Sequence, residues 1–364
     1  MLEGGGLVQR RELLLGLGAL SLAGCATGPG EPPLSGYEAS AGPFFPVNVA
    51  RENILETVTG LRPDRAGGFR LEAERLDDKT VVHNYGHDGD GVTLSWGCAT
   101  IASEMALAIG GDDVAIIGAG VQGLTTVLLL VRAGKKVTIY AADFPPNTTS
   151  NIAGALILTG PRYGAVPADV VARVNALAET GFRPYVGKPG YGVAEVRYHN
   201  LRCRNEEDRG ERALFGCDVQ RQFSAIVVDM NLYLDRLFDD FKAAGGRTYT
   251  QKFERLEQVL SLPQSTIVNC SGLGAGALFG DAAVRPVWGQ LVRLHPQPEI
   301  DYAYISRGRG GLLYMFPRET SIVLGGTRRP GLVNREPDPE DITRLLAGHS
   351  RLAERAARTL RVMS

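Results

Sequence analysis

Net charge, cysteine and long apolar runs are all scarce in this 364-residue chain. A formal net charge of −1 gives no reason to expect nucleic acid or an acidic membrane surface as a partner. The five cysteines include no CxxC pair and no His/Cys cluster at metal-ligand spacing, so no metal is expected. The apolar run at residues 13–22 is too short to span a bilayer as a helix. No internal repeat is present. Glycine, in contrast, is abundant: many of the 46 residues sit in loops beside strand-like runs, as cofactor-binding α/β proteins require. With 44% hydrophobic and 22% charged residues the chain is globular, with core enough for two domains.

The most informative stretch is residues 114–123, VAIIGAGVQG. A short apolar strand runs into Gly118-Ala119-Gly120-Val121-Gln122-Gly123, and Leu124, Val127, Leu128 and Val131 then recur at helical spacing until Gly134. The strand at 136–140 completes a βαβ unit. Gly118 suits the tight turn, Gly120 lets the backbone approach a pyrophosphate, and Gly123 lets helix and strand pack closely. The pyrophosphate would sit at the helix N-terminus, where unpaired N–H groups favour negative charge. More than a hundred residues precede this unit, which is unusual for it.

Those residues begin with an export signal, expected over 1–25. Arg10-Arg11 precedes the apolar run, which ends in Leu22-Ala23-Gly24-Cys25. That ending resembles the lipobox of bacterial lipoproteins, and the arginine pair resembles a twin-arginine signal. The expectation is an exported protein of the bacterial periplasm or cell envelope, touching membrane only through a lipid on Cys25. Residues 26–50, rich in Gly and Pro, read as a tether. Of the remaining cysteines, Cys98 and Cys270 sit in apolar surroundings and are expected in the core. Cys203 and Cys217 flank a polar loop, and both a disulfide and two free thiols fit them.

A second strand–glycine–helix pattern lies upstream, at residues 80–109. Thr80 to Asn84 reads as a strand, Gly86, Gly89 and Gly91 as a loop, and a helix follows from near Thr93. It offers a second set of N–H donors to an anionic ligand. His83 and His87 meet no third ligand, so structural hydrogen bonding is the expectation for them. Arg62, before Pro63, reads as either a carboxylate fork or a surface arginine.

The runs Gly60-Leu-Arg62-Pro63, His83-Asn-Tyr-Gly-His87 and Gly91-Val-Thr-Leu-Ser-Trp96-Gly resemble the closing segment of the D-amino-acid oxidase family of flavoproteins. The rest matches in family order from Val114: GAGVQGL, Thr148-Thr-Ser-Asn-Ile-Ala-Gly154, Ile267-Val-Asn-Cys-Ser-Gly272, Pro286-Val-Trp-Gly-Gln290, Tyr314-Met-Phe-Pro317 and Leu324-Gly-Gly-Thr327. The family's last segment thus comes first, as in a circular permutation, which close surface termini would permit. The resemblance implies an α/β fold: a Rossmann-like FAD-binding domain (51–159 and 245–285) and a mainly antiparallel-sheet substrate domain (160–244 and 286–364).

The resemblance also implies roles. Gly118, Ala119, Gly120, Val121 and Gly123 would hold the FAD pyrophosphate. Asp143, Thr148, Thr149, Ser150, Gly154 and Ser271 would line the rest of the cofactor, and Gly89, Asp90, Gly91, Val92 and Thr93 the flavin edge. Arg62 would fork the substrate carboxylate and Tyr314 would hydrogen-bond it, with Gly89 also on the substrate side. The implied reaction passes hydride from the Cα of a D-amino acid to the flavin. Water then releases a 2-oxo acid and ammonia, and oxygen becomes hydrogen peroxide. Arg328, with Arg307, Arg309 and Arg318 nearby in sequence, favours an acidic substrate, although a solvated basic face fits equally.

Several positions depart from the family. Ala142 holds the place of the ribose-binding acid and Asp143 follows it. Asp88 and Asp90 add acid to the flavin loop, Ile157 replaces an aromatic, and a second site tyrosine is missing near Gly310. Two further readings therefore stand beside an oxidase: a flavin dehydrogenase with another acceptor, and a degenerate FAD-binding lipoprotein. Oligomeric state stays open. The stretch 160–230 reads as polar segments with short β-like runs, and 338–362 as a solvated helix with Asp338 as N-cap and Pro339 in its first turn.

Overall fold

Val114 to Ile117 are all but fully buried, because the strand they form has helices or strands on every side. The computed structural model describes residues 45–203, 213–214, 217–308 and 311–363. The export signal, Cys25 and most of the tether lie outside the described residues, as do Arg309 and Gly310.

The chain opens with β1 (Ile54–Arg65), β2 (Arg70–Leu76), β3 (Lys79–Tyr85) and α1 (Ser95–Ile109). The fingerprint unit follows as β4 (Asp113–Ile117), α2 (Val121–Arg132) and β5 (Lys136–Ala141). Then come β6 (Leu156–Ile157), α3 (Ala168–Phe182), β7 (Val193–Cys203), β8 (Ala213–Leu214), β9 (Cys217–Val228) and α4 (Met230–Ala243). Next are β10 (Arg247–Thr250), α5 (Leu256–Leu260), β11 (Thr266–Asn269), α6 (Gly274–Leu278) and β12 (Val284–Leu294). The chain ends with β13 (Tyr302–Gly308), β14 (Gly311–Pro317), β15 (Ile322–Gly325), β16 (Arg329–Pro330) and α7 (Pro339–Met363).

Two sheets result. The first, in the order β10-β5-β4-β11-β3-β2, is parallel except for the edge strand β2. Helices α1, α2 and α4 pack beside one another, and α3 packs on α1. The second sheet runs β1-β12-β15-β14-β13-β7-β9-β6 and is antiparallel except for the β13–β7 pair. Strand β1, at an edge of this sheet, pairs with β12 along its whole length and puts Arg62 opposite Val287.

Some expectations shift. Residues 51–159 do not all belong to the parallel sheet, since β1 and β6 lie in the antiparallel one. The 160–230 stretch contains a full helix, α3, which polar surface positions hid in the sequence; Val171, Val174, Ala178 and Phe182 form its buried face. Gly97 and Gly181 allow the close contact of α1 with α3. A Cβ at Gly97 would fall 2.1 Å from Val174 O, and one at Gly181 would fall 2.2 Å from Trp96 Cβ. Helix α7 starts as read, with Asp338 Oδ1 accepting the Glu340 N–H at 2.9 Å. It is not simply solvated: Leu345, Leu346 and Leu352 pack into the core under the antiparallel sheet. Cys203 and Cys217 form a disulfide, while Cys98 and Cys270 are free and buried. No helix of the described residues is long and apolar enough to cross a membrane.

Candidate active site

Strand β4 ends at the glycine turn because only glycine fits there. Gly118 has φ +103°, and a Cβ on it would lie 2.5 Å from Cys270 O. At Gly123 a Cβ would lie 2.0 Å from Gly118 O, so the start of α2 can press against the strand only as glycine. Gly120 leaves room for Ser150, whose Oγ accepts the Val121 N–H at 3.0 Å. The turn that carries Ser150 is held by Asn151, whose Oδ1 accepts from Thr148 Oγ1 at 2.7 Å.

The upstream strand–glycine–helix turn lies beside this one. Gln122 joins them: its Oε1 accepts from Asn84 Nδ2 at 3.2 Å, and its Nε2 donates to Gly91 O at 2.8 Å. Gln122 was not singled out in the sequence, and only its place inside the fingerprint pointed to it.

Between these turns and the antiparallel sheet lies a cavity of about 640 Å³. Every described residue singled out above for cofactor or substrate lines it, except Gly123 and Arg318, which pack behind. Asp143 is on the wall but exposed.

Arg62 and Tyr314 reach the cavity by lying across glycines of neighbouring strands. A Cβ at Gly289 would meet Arg62 Nη2 at 2.8 Å, and one at Gly325, paired with Tyr314, would meet its ring at 2.1 Å. Neither glycine was assigned this role from sequence, because the contacts join distant segments. Arg62 donates from Nη1 to Thr327 O at 3.1 Å and has no carboxylate partner among the described residues. The Tyr314 ring stacks on Phe316 at 4.7 Å between centroids. Burial raises its phenol pKa, against the opposing charges of Arg62 and Arg318.

The other arginines separate into three situations. Arg328, half exposed at the rim, donates to Asp88 Oδ2 at 3.1 Å and lies 4.0 Å from Asp64. Arg318 is buried behind the wall and donates to Ala153 O and to Gly154 O, the latter at 2.6 Å. Burial lowers its pKa to about 10. Arg307 and Arg335 line the cavity without an ion pair among the described residues.

The acidic loop behaves as its crowding dictates. Burial first, and then the neighbouring Asp88, push the Asp90 carboxyl up to about 6, with Arg62 opposing. His87 stacks on Phe69 at 5.2 Å, and burial lowers its pKa to about 3. Its Nε2, with Asn84 Oδ1, Asp88 Oδ1 and Thr327 Oγ1, is buried without a hydrogen-bond partner among the described residues. All four residues line the cavity. Unpaired polar atoms beside a cradle that a Cβ would fill fit a large, polar, phosphate-bearing ligand. Among the described residues no His/Cys/Asp/Glu cluster could hold a metal ion.

A glycine cradle at a helix N-terminus, set against a second sheet that presents an arginine and a tyrosine, is the layout of a dinucleotide-dependent oxidoreductase. Comparison with known proteins narrows this. The profile of a family described as FAD dependent oxidoreductase matches residues 113–185 and 219–363. A D-amino-acid oxidase of Rubrobacter xylanophilus is 30% identical over 259 residues, covering 66% of this chain and 77% of that one. A D-aspartate oxidase of Homo sapiens is 28% identical over 260 residues, covering 64% and 74%. The solved structure of glycine oxidase from Geobacillus kaustophilus shares the fold, with TM-score 0.52 at 16% identity, covering 68% of this chain and 80% of that one. The chain belongs to this family of FAD-dependent oxidoreductases, and its cofactor is FAD.

Proposed function

We propose that the enzyme oxidatively deaminates a D-amino acid to the 2-oxo acid and ammonia, with oxygen reduced to hydrogen peroxide. The observation that carries this reading is Arg62, a guanidinium on the cavity wall with no carboxylate partner among the described residues, close to the Tyr314 phenol. The D-amino-acid oxidase and D-aspartate oxidase relatives support it.

When bound, the flavin supplies the acceptor for the hydride on the substrate Cα. The chain's own residues bind and orient. Arg62 forks the carboxylate through two parallel N–H···O bonds, and Tyr314 donates its O–H to the same group. Together they fix the direction of the Cα–H bond, and positioning of this kind needs no side-chain base. Leu291, Ile305 and Leu312 close the apolar wall beside them. Water then hydrolyses the imino acid.

An acidic substrate side chain is supported by Arg307 and Arg335 rather than by Arg328, whose charge is met by Asp88. The reading as a circular permutation is supported by where the family match begins, residue 113, while β1 and β3 upstream of it belong to the two sheets. Export and a lipid on Cys25 are part of the proposal, and that anchor favours a second reading in which a membrane-borne acceptor replaces oxygen.

The test is an anaerobic visible spectrum of the purified protein with a panel of D- and L-amino acids. Bleaching by D- but not L-amino acids, strongest with D-aspartate or D-glutamate, is expected. A bound flavin that no D-amino acid reduces overturns the reading. Oxygen consumption afterwards separates oxidase from dehydrogenase.

A further inference from the structure

Strand β3 carries a histidine into the middle of the parallel sheet. His83 has no exposed surface, and Asn269 stands directly beside it on β11. The ring is held edge-on by Phe279 at 4.9 Å and by Tyr85 at 5.7 Å. Its Nε2 lies 3.0 Å from Glu74 Oε2, and its Nδ1 lies 3.2 Å from Asn269 Nδ2.

The amide decides the tautomer. Asn269 Oδ1 accepts from Ser271 N–H at 3.1 Å and from Ser271 Oγ–H at 2.6 Å, which makes Nδ2 the donor to the ring. An amide nitrogen can only donate, so His83 Nδ1 accepts, and the ring proton sits on Nε2 and goes to the Glu74 carboxylate. The chain of hydrogen bonds therefore runs one way: Ser271 to Asn269 to His83 to Glu74. Burial and the charge of Arg70 lower the ring pKa to about 4, so it is neutral at neutral pH. Glu74 is held below its usual range: burial opposes this, but the hydrogen bonds from Arg70 and His83 outweigh it. The far end of the chain, Ser271, lines the cofactor cavity.

We propose that His83 is a positioning residue for the FAD site: its acceptor nitrogen holds the Asn269 amide in one orientation, and that amide locks the Ser271 hydroxyl and turn toward the cofactor. The proposal rests on the reading of Ser271 as a cofactor residue. Without the ring acceptor the Asn269 amide is free to flip, and Ser271 loses both bonds that fix it. His83 is absent from the cavity wall, so its loss acts on cofactor affinity and not on the amino-acid KM at saturating FAD.

The test compares FAD dissociation constants of apoprotein, from quenching of flavin fluorescence, for wild type, His83→Leu, His83→Asn and Ser271→Ala. His83→Leu and Ser271→Ala are expected to bind FAD about tenfold more weakly, as loss of a buried acceptor predicts. His83→Asn places an amide oxygen where Nδ1 was and is expected to recover affinity to within about threefold of wild type. The amino-acid KM stays unchanged in both His83 variants. Should His83→Leu fail to fold, nitrogen-15 NMR of histidine-labelled wild type reads the tautomer directly, with a protonated Nε2 expected and a protonated Nδ1 overturning the relay. Unchanged affinity in His83→Leu, or His83→Asn as weak as His83→Leu, overturns the relay alone. Unchanged affinity in Ser271→Ala overturns the cofactor reading of Ser271, and the proposal with it.

Discussion

Arg62 and Tyr314 owe their places to residues without side chains. Because Tyr314 lies flat across Gly325, Gly325→Ala must push the ring aside, and a backbone-attached methyl at 2.1 Å cannot be absorbed by a small shift. Steady-state kinetics should show a fall in kcat/KM comparable to that of Tyr314→Phe or greater, with the flavin retained. For Arg62→Leu the loss should be larger, about a thousandfold in kcat/KM, since a charged carboxylate loses its bidentate partner. A similar loss with the flavin spectrum intact is the outcome to look for; an unaffected KM and kcat would remove Arg62 from the substrate site. Asp90 carries a prediction about pH. Its carboxyl is raised to about 6 in the folded state, above the ordinary value near 3.8. The folded protein therefore binds the proton more tightly than the unfolded chain, and stability is lost as pH rises from about 4 through 6. Asp90→Asn should then be more stable than wild type at pH 8, by on the order of 1–2 kcal/mol after allowance for partial exposure, and no different near pH 3.5. Urea denaturation at the two pH values measures it.

At the scale of elements, the turn at 148–154 is the piece on which both sheets act. From the parallel side, Val121 donates to Ser150. From the antiparallel sheet two buried arginines reach its backbone: Arg293 on β12 donates to Asn151 O at 2.7 Å, and Arg318, just past β14, donates to Ala153 O and Gly154 O. Each guanidinium answers carbonyls that would otherwise be buried unpaired, at about 1–3 kcal/mol apiece. Arg318→Leu should therefore lower the melting temperature and speed FAD release in stopped-flow measurements. A variant that melts earlier but releases FAD at the wild-type rate would confine Arg318 to stability. The sequence showed the two halves of this arrangement unequally. The glycine fingerprint and the Thr148–Gly154 run were legible because local backbone geometry demands those residue types. The arginines were visible only as a basic cluster. Their separation into a rim pair (Arg328), a buried latch (Arg318) and a wall residue without an ion pair among the described residues (Arg307) depends on strand register and on Asp88 and Asp64 from elsewhere in the chain. Helix α3 escaped for a related reason: its apolar stripe is narrow because only one face meets α1.

At the scale of the whole molecule, chain order and spatial order part company. β11 sits between β3 and β4, although nearly two hundred residues separate β3 from β11 and the fingerprint turn comes between them. What holds β3 there is side-by-side pairing and burial, Val81 and Val82 being fully covered, and neither depends on which end of the chain supplied the strand. The same holds for β1, whose partner β12 comes more than two hundred residues later. If the order is a permutation of the family's, a chain with residues 45–110 moved behind residue 363 should fold to the same molecule. The cut at Gly110–Asp112 falls in an exposed loop of α1 to β4, where few contacts are lost. The new joint is short as well: Val47 packs in the same core cluster as Leu345, Leu346 and Leu352 of α7. From there the helix runs on for eleven residues, roughly 16 Å at helical rise, so a flexible linker of about ten residues spans the return. The expected result is a re-ordered protein that binds FAD with unchanged affinity, melts within a few degrees of the original, and keeps its preference among amino acids. A re-ordered chain that binds no FAD would mean that β1 and β3 need their present connection through α1 to reach the sheets, and the permutation reading would fall.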